Sequence, residues 1–119
     1  MRYVDGFVVP VPEDKVKLYK SIAQKAGKIW KEYGALEYIE AVGDDLENTW
    51  GVPFTKAVKL KPGEVPFFSF IVYKSRAQRD KVNKQIMNDP RMKKMMDGKE
   101  MPFELKRMVY GGFKVLVDL

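Results

Sequence analysis

The stretch Phe-Phe-Ser-Phe-Ile-Val-Tyr at positions 67–73 decides the fold, because it predicts a β-strand that is apolar on both faces. One face carries Phe68, Phe70 and Val72. The other carries Phe67, Ser69, Ile71 and Tyr73. Leaving either set in water would forfeit roughly 1.5–3 kcal/mol for each large side chain, against a whole-domain stability of about 5–15 kcal/mol. Both faces of the strand therefore require cover.

The elements on either side of this strand predict one ferredoxin-like α+β domain over residues 1–119. The other predicted strands span 3–11, 36–42, 57–60 and 108–117, and helices span 12–33 and 75–88, with a further helical turn after Asp89-Pro90. The order is βαββαβ with a small added hairpin. It predicts an antiparallel sheet with both helices on one face. A chain of 119 residues has no length left for a second layer.

Local signals support several of these boundaries. Pro62-Gly63 suits the centre of a type II turn, and Ser75 with Gln78 forms a capping-box pattern. Gly98 is predicted to close the last helical turn. Gly27 lies inside the first helix, where glycine costs about 1 kcal/mol relative to alanine unless something packs close to the backbone.

The second sheet face has three possible covers. The simplest is another copy of the chain in a two-fold interface, so we predict a homodimer through the sheet face. A bound ligand or a nucleic acid is the alternative cover, and a misassigned strand would remove the need for any cover. Residues 68–73 partly match the aromatic signature of RNA-recognition-motif domains, but Pro66 and Phe67 stand where that signature has a basic residue and a glycine. Packing is therefore preferred, and nucleic-acid binding is the less favoured interpretation.

Composition excludes several kinds of chemistry. The chain has no cysteine and no histidine, which removes disulfides, thiolate sites and every histidine-dependent triad or metal site. We expect no cofactor and no metal. No apolar run approaches the length of a membrane span, and the protein is expected to be cytoplasmic. The net charge of +6 is attributed to solvated lysine faces.

Two further clusters are assigned to structure rather than to binding. The acidic residues of the polar loop 43–53 do not have the spacing of a calcium site. The methionines between 87 and 101 could hold a soft metal or a partner, but methionine is a common filler of apolar gaps.

No catalytic motif is recognised, so the candidate site residues are chosen by their positions in the predicted strands, helices and loops. Asp5 lies in an apolar strand, where a carboxylate can act as a general base. More commonly it is paired with an arginine such as Arg107 or Arg2, or it caps a bend beside Gly6. The aromatic residues that could line a small pocket are Tyr3, Tyr38, Tyr110, Trp30 and Trp50. Arg91 and Arg107 are the basic candidates beside them.

Several separated blocks of the chain resemble the YbaA-like family of uncharacterised bacterial proteins. The blocks are YVDGFVVPVP (3–12), KAGKIWKEYGALEY (25–38), LKPGE (60–64), FSFIVYKSRAQRD (68–80), DPRM (89–92) and MPFELKRMVYGGF (101–113). The resemblance spans nearly the whole chain. It implies a ferredoxin-like fold of the dimeric α/β-barrel kind and no settled activity or catalytic set.

Three functional hypotheses follow. The first is a homodimer that binds a small anionic or aromatic metabolite between sheet and helices, with Trp30, Trp50, Tyr110, Arg91 and Arg107 lining the pocket. The second is a cofactor-independent oxygenase or isomerase. Its candidate base is Asp5, and Tyr3, Tyr110 or Arg107 would hold an oxyanion. The third is an RNA-binding module that uses the sheet aromatics and the lysine face of the first helix.

Overall fold

The computed structural model describes residues 1–97 and 101–119, and it confirms the predicted α+β class. The strands are Tyr3–Pro12 (β1), Glu37–Val42 (β2), Glu64–Tyr73 (β3) and Val109–Lys114 (β4). The helices are Val16–Glu32 (α1), Phe54–Ala57 (α2), Arg76–Met87 (α3) and Pro90–Met96 (α4), with 3-10 turns at Glu13–Lys15 and Leu105–Arg107. Gly98, the predicted end of the last helix, lies outside the described residues.

The four strands form one antiparallel sheet in the order β2-β3-β1-β4. β1 and β3 pair along ten residues, from Tyr3 opposite Tyr73 to Pro12 opposite Glu64. This is the split βαβ order, in which β3 lies between the two strands that α1 connects. The ferredoxin-like topology predicted from the order of elements is confirmed.

The helical layer covers the face of the sheet that carries the odd-numbered residues of β1 and β3. α1 packs on β1 and β2, and α3 packs on β3 and on α1. The buried sheet residues of this face include Tyr3, Val9, Val11, Phe67, Ile71 and Tyr73. The helices contribute Tyr19, Ala23, Ala26, Ile29, Val82 and Ile86. The apolar stripe of α1, repeated at helical spacing, therefore forms most of the cover.

The opposite side of the sheet, here called the open face, is apolar as well. The strand registers place on it Val4, Val8, Ile39, Phe68, Phe70, Val109 and Phe113. Phe68 is 45% exposed and Phe113 is 62% exposed. α2 reaches one edge of this face, where the ring of Phe54 meets that of Phe68 with centroids 6.1 Å apart. Most of the open face is thus left without a helical cover.

Three predicted boundaries are wrong. The predicted strand 57–60 is absent. The short helix α2 follows Pro53 and includes Ala57, whose N–H donates to the Pro53 carbonyl at 3.0 Å. Pro12 ends β1 rather than opening a helix, and a 3-10 turn precedes α1. The last strand is Val109–Lys114, shorter than the predicted 108–117.

The predicted turn and cap signals are confirmed. In the turn at Pro62-Gly63 the Glu64 N–H donates to the Lys61 carbonyl at 3.2 Å, and Gly63 has φ +80°, which glycine adopts without strain. Ser75 Oγ accepts the Gln78 N–H at 3.1 Å at the start of α3. No helix of residues 1–97 and 101–119 has the length and apolar character to span a membrane.

Candidate functional site: a cavity between the sheet and the helical layer

A cavity of about 190 Å³ lies between the sheet and the helical layer. α1 forms one wall with Ile22, Ala26 and Trp30, and the sheet forms another with Phe7, Val9 and Ile71. The third wall comes from α4 and the segment that leads to β4, and it consists of Met92, Met96, Met101, Phe103 and Met108. Mostly apolar walls with few polar groups are typical of small-molecule sites.

The polar end of this cavity is the carboxyl group of Glu40 on β2. Tyr19 donates its hydroxyl to Glu40 Oε1 at 2.7 Å, and Tyr38 donates its hydroxyl to Oε2 at 3.1 Å. Ser69 lies opposite Glu40 in the sheet register and presents a third hydroxyl to the carboxyl group. These four residues form what we call the Glu40 cluster.

Burial dominates the electrostatics of the Glu40 cluster. It raises the pKa of Glu40 above its ordinary value, although hydrogen bonds from Tyr19, Tyr38 and Ser69 oppose that rise. Burial, followed by the charge of Glu40, also raises the pKa values of Tyr19 and Tyr38, so both hydroxyls stay protonated as donors. No ion pair between described residues includes Glu40.

An open groove between α1 and the edge strand β2 borders this site. Tyr19, Ala23, Tyr38 and Glu40 line both the groove and the cavity. The Glu40 cluster therefore contributes to the lining of both the groove and the cavity.

Asp5, the predicted base, lies in a second buried polar cluster. Its side chain is 1% exposed and accepts a 2.7 Å bond from Arg79 Nη1. The same nitrogen donates to the Tyr110 hydroxyl at 3.2 Å, and the guanidinium carbon lies 4.7 Å from the centre of the Tyr3 ring. Burial raises the pKa of the Asp5 carboxyl, and the Arg79 guanidinium opposes the rise.

Arg79 thus contacts three of the predicted catalytic candidates, Asp5, Tyr3 and Tyr110. It does not contact the fourth, Arg107. The suggested pairing of Asp5 with Arg107 or Arg2 is wrong. Arg107 instead donates to both carboxylate oxygens of Glu64, at 2.6 and 2.8 Å. A catalytic role for Asp5 stays a prediction, and it requires a substrate to reach a carboxylate that is enclosed by this ion pair.

The predicted ligand-binding residues are dispersed over the molecule. Trp30 lines the cavity and donates its indole N–H to the Tyr73 hydroxyl at 3.0 Å. Trp50 is 86% exposed in the polar loop. Arg91 is paired with Asp89 and Glu32, and Tyr110 and Arg107 have the partners given above. Of the five residues predicted to line a pocket between sheet and helices, Trp30 alone does so.

The candidates from the sequence omit most of the Glu40 cluster. Tyr38 was among the predicted pocket aromatics, but Glu40, Tyr19 and Ser69 were not identified. A signal existed, because Glu40 is a carboxylate two residues after Tyr38 in a predicted strand, on the same face. Within the described ranges no group of three or more acidic, histidine or cysteine side chains could hold a metal ion.

An antiparallel four-stranded sheet with one helical layer and a cavity beneath it defines a ferredoxin-like α+β protein. The chain belongs to the family described as protein of unknown function DUF1428, which matches residues 2–105. This membership confirms the resemblance to the YbaA-like family. The chain is 46% identical over 118 residues to "Uncharacterized protein YbaA" of Escherichia coli K12, covering 99% of each chain, and equally similar to the protein of that name in Shigella flexneri.

A likeness to a solved structure agrees with the fold. A crystal structure of a dimeric ferredoxin-like protein from an uncultured marine organism aligns over 100% of both chains, with a TM-score of 0.58. Its sequence is 11% identical to that of this chain, so the likeness shows the fold alone.

Proposed function

We propose that this protein is a homodimer that binds a small molecule in the cavity between its sheet and its helical layer. The observation that carries the proposal is the mostly apolar cavity with one carboxyl group at its polar end. Two copies would pair through their open faces, and each would keep its own cavity on the helical side. A location in the cytoplasm is part of the proposal and rests on the absence of cysteine.

The cavity supports binding because protein interiors normally close such space. Cores pack about as densely as organic crystals, and voids larger than a water molecule are few. A benzene molecule fits an engineered cavity of about 150 Å³ in another protein. The cavity here, at about 190 Å³, is therefore large enough for one aromatic ring with a short substituent.

The open face supports pairing of two copies. It carries a continuous set of apolar side chains, and Phe68, Phe113 and Val109 each expose close to half of their surface or more. Contiguous exposed apolar patches mark interaction surfaces. The solved relative in fold is itself described as dimeric. If the open faces pair, their aromatic rings are not available to stack nucleic-acid bases.

A thermal-shift screen against a metabolite library tests the binding function. We expect stabilising compounds, and we expect each to lose its effect in Ala26→Leu, which fills the cavity from α1. Leu18→Ala, an exposed change on the same helix, should leave the shifts intact and serves as the matched control. If no compound stabilises the wild-type protein, or if hits act equally on Ala26→Leu, the cavity is not a ligand site.

If Ala26→Leu is too unstable for this comparison, a structure of the wild-type protein with a hit compound decides the matter. Density for the compound beside Ile71 and Met96 would support the proposal. Density at the outer surface alone would overturn it.

A further inference from the structure

Asp5, which is buried, and Glu40, which is half-buried, are carboxylates on the same side of the sheet that differ in their partners. Asp5 has a cation built into the fold, since Arg79 approaches it to 2.7 Å. Glu40 is contacted by the hydroxyl groups of Tyr19, Tyr38 and Ser69 instead. Removing a carboxylate from water without supplying a counter-ion costs free energy. We therefore looked for a group that could serve as the counter-ion of Glu40.

The lining of the cavity indicates what would complement Glu40. Glu40 is the charged member of the set of residues that surround the space. Aromatic rings of Phe7, Tyr19, Trp30, Tyr38 and Phe103 line the same space. Aromatic faces attract cations, and an ammonium group would meet both these faces and the carboxylate.

The charged side chains that line the groove do not give it a net positive charge that would repel a cation. Its charged lining residues are Lys20, Lys28, Lys31, Glu32, Glu37 and Glu40, three of each sign. The amino group of Lys31 already donates to the Leu36 carbonyl at 2.7 Å. The groove lining therefore has no net charge to keep a small cation away from Glu40.

We infer that the cavity takes a small organic cation, an amine with a compact apolar or aromatic body, whose ammonium group pairs with Glu40. The inference rests on the proposed binding function and specifies its ligand class. It replaces the anionic metabolite among those expected from the sequence and keeps the aromatic one, because the arginines on which an anion would depend lie outside the cavity. Arg91 pairs with Asp89 and Glu32, and Arg107 pairs with Glu64.

A matched series of three probes tests the ligand class: benzylamine, benzyl alcohol and benzoate, titrated by nuclear magnetic resonance at neutral pH. We expect benzylamine to bind the wild-type protein about tenfold more tightly than benzyl alcohol, and benzoate to bind most weakly. In Glu40→Gln the preference for benzylamine should disappear. The control is Glu13→Gln, the same change at an exposed residue that lines neither the groove nor the cavity, and it should keep the preference.

The outcomes separate this inference from the proposed function. Equal binding of benzylamine and benzyl alcohol, a preference that survives in Glu40→Gln, or no binding of benzylamine overturns the cation inference. The binding function fails only if the library screen also finds no compound that needs the cavity. If Glu40→Gln does not fold, lowering the pH decides instead: protonation of Glu40 should abolish the preference for benzylamine over benzyl alcohol in the wild-type protein.

Discussion

Phe113→Ala is expected to weaken the homodimer strongly, because this exposed ring lies on the open face and reaches from the edge strand β4 over β1. An alanine Cβ at Gly6 or at Gly111 would stand 3.6 or 3.5 Å from the Phe113 ring, so the ring lies across two adjacent strands. Phe113 is 62% exposed in the single chain. Pairing of two open faces would remove most of that exposed surface from water.

The magnitude follows from the exposed area. A phenylalanine side chain buries about 200 Å², so pairing covers about 120 Å² of Phe113 in each copy. At about 25 cal/mol per Å² this burial contributes about 3 kcal/mol per copy. A two-fold interface uses the residue twice, and alanine retains part of the surface. The expected loss is about 4 kcal/mol, or about a 10³-fold rise in the dissociation constant.

Sedimentation equilibrium over a range from nanomolar to high micromolar concentration measures this constant. The control is Leu18→Ala, which removes a half-exposed leucine from α1 on the helical side and should leave the dimer unchanged. Circular dichroism of both variants verifies that each is folded. A wild-type protein that sediments as a 13.8 kDa particle at micromolar concentration refutes the reasoning, as does an equal constant for the two variants.

Three further changes are measured by urea unfolding. Glu40→Gln should raise the unfolding free energy at neutral pH, because the pKa of Glu40 is raised in the fold and its ionisation is therefore destabilising. This gain should vanish as the pH falls below the ordinary carboxyl value of 4.5, where both variants are uncharged at this position; a gain that does not depend on pH would contradict the assignment. Arg79→Met should cost about 3–5 kcal/mol by leaving Asp5 buried and unpaired, and a loss under about 1 kcal/mol would mean that the pair is unimportant. Gly27→Ala should destabilise by about 1–3 kcal/mol despite the better helix propensity of alanine, whereas Ser21→Ala on the exposed side of the same helix should be neutral or stabilising.

The fold could be predicted because its signals are local and periodic. Residues 67–73 alternate between two apolar faces. The capping residues Ser75 and Asp89 mark the starts of α3 and α4. The predicted strand at 57–60 failed because Pro53 starts a helical turn whose hydrogen bonds satisfy this segment locally. The hydrophobic pattern of so short a segment does not distinguish a helical turn from a strand of four residues.

The site was less predictable because it depends on pairs of residues that are distant in the chain. Tyr19 and Glu40 are 21 residues apart, and Asp5 and Arg79 are 74 residues apart. Periodicity assigns each residue to a face of its own element, but it does not say which residues of two elements meet across the layer. A carboxylate in a strand could therefore be marked as unusual, as Asp5 was, without its partner being identified.

Gly27 connects the helix, the sheet and the site. Glycine inside α1 costs about 1 kcal/mol of helix stability, and the sequence alone offers no compensation. In the fold, a Cβ at this position would lie 2.6 Å from Cδ1 of Tyr38, so the ring occupies the space of the missing side chain. From there the Tyr38 hydroxyl reaches Glu40 at 3.1 Å. The backbone at Gly27 therefore positions one of the donors that hold the carboxyl group at the cavity, and the weakness it gives α1 is best explained by the site rather than by the fold.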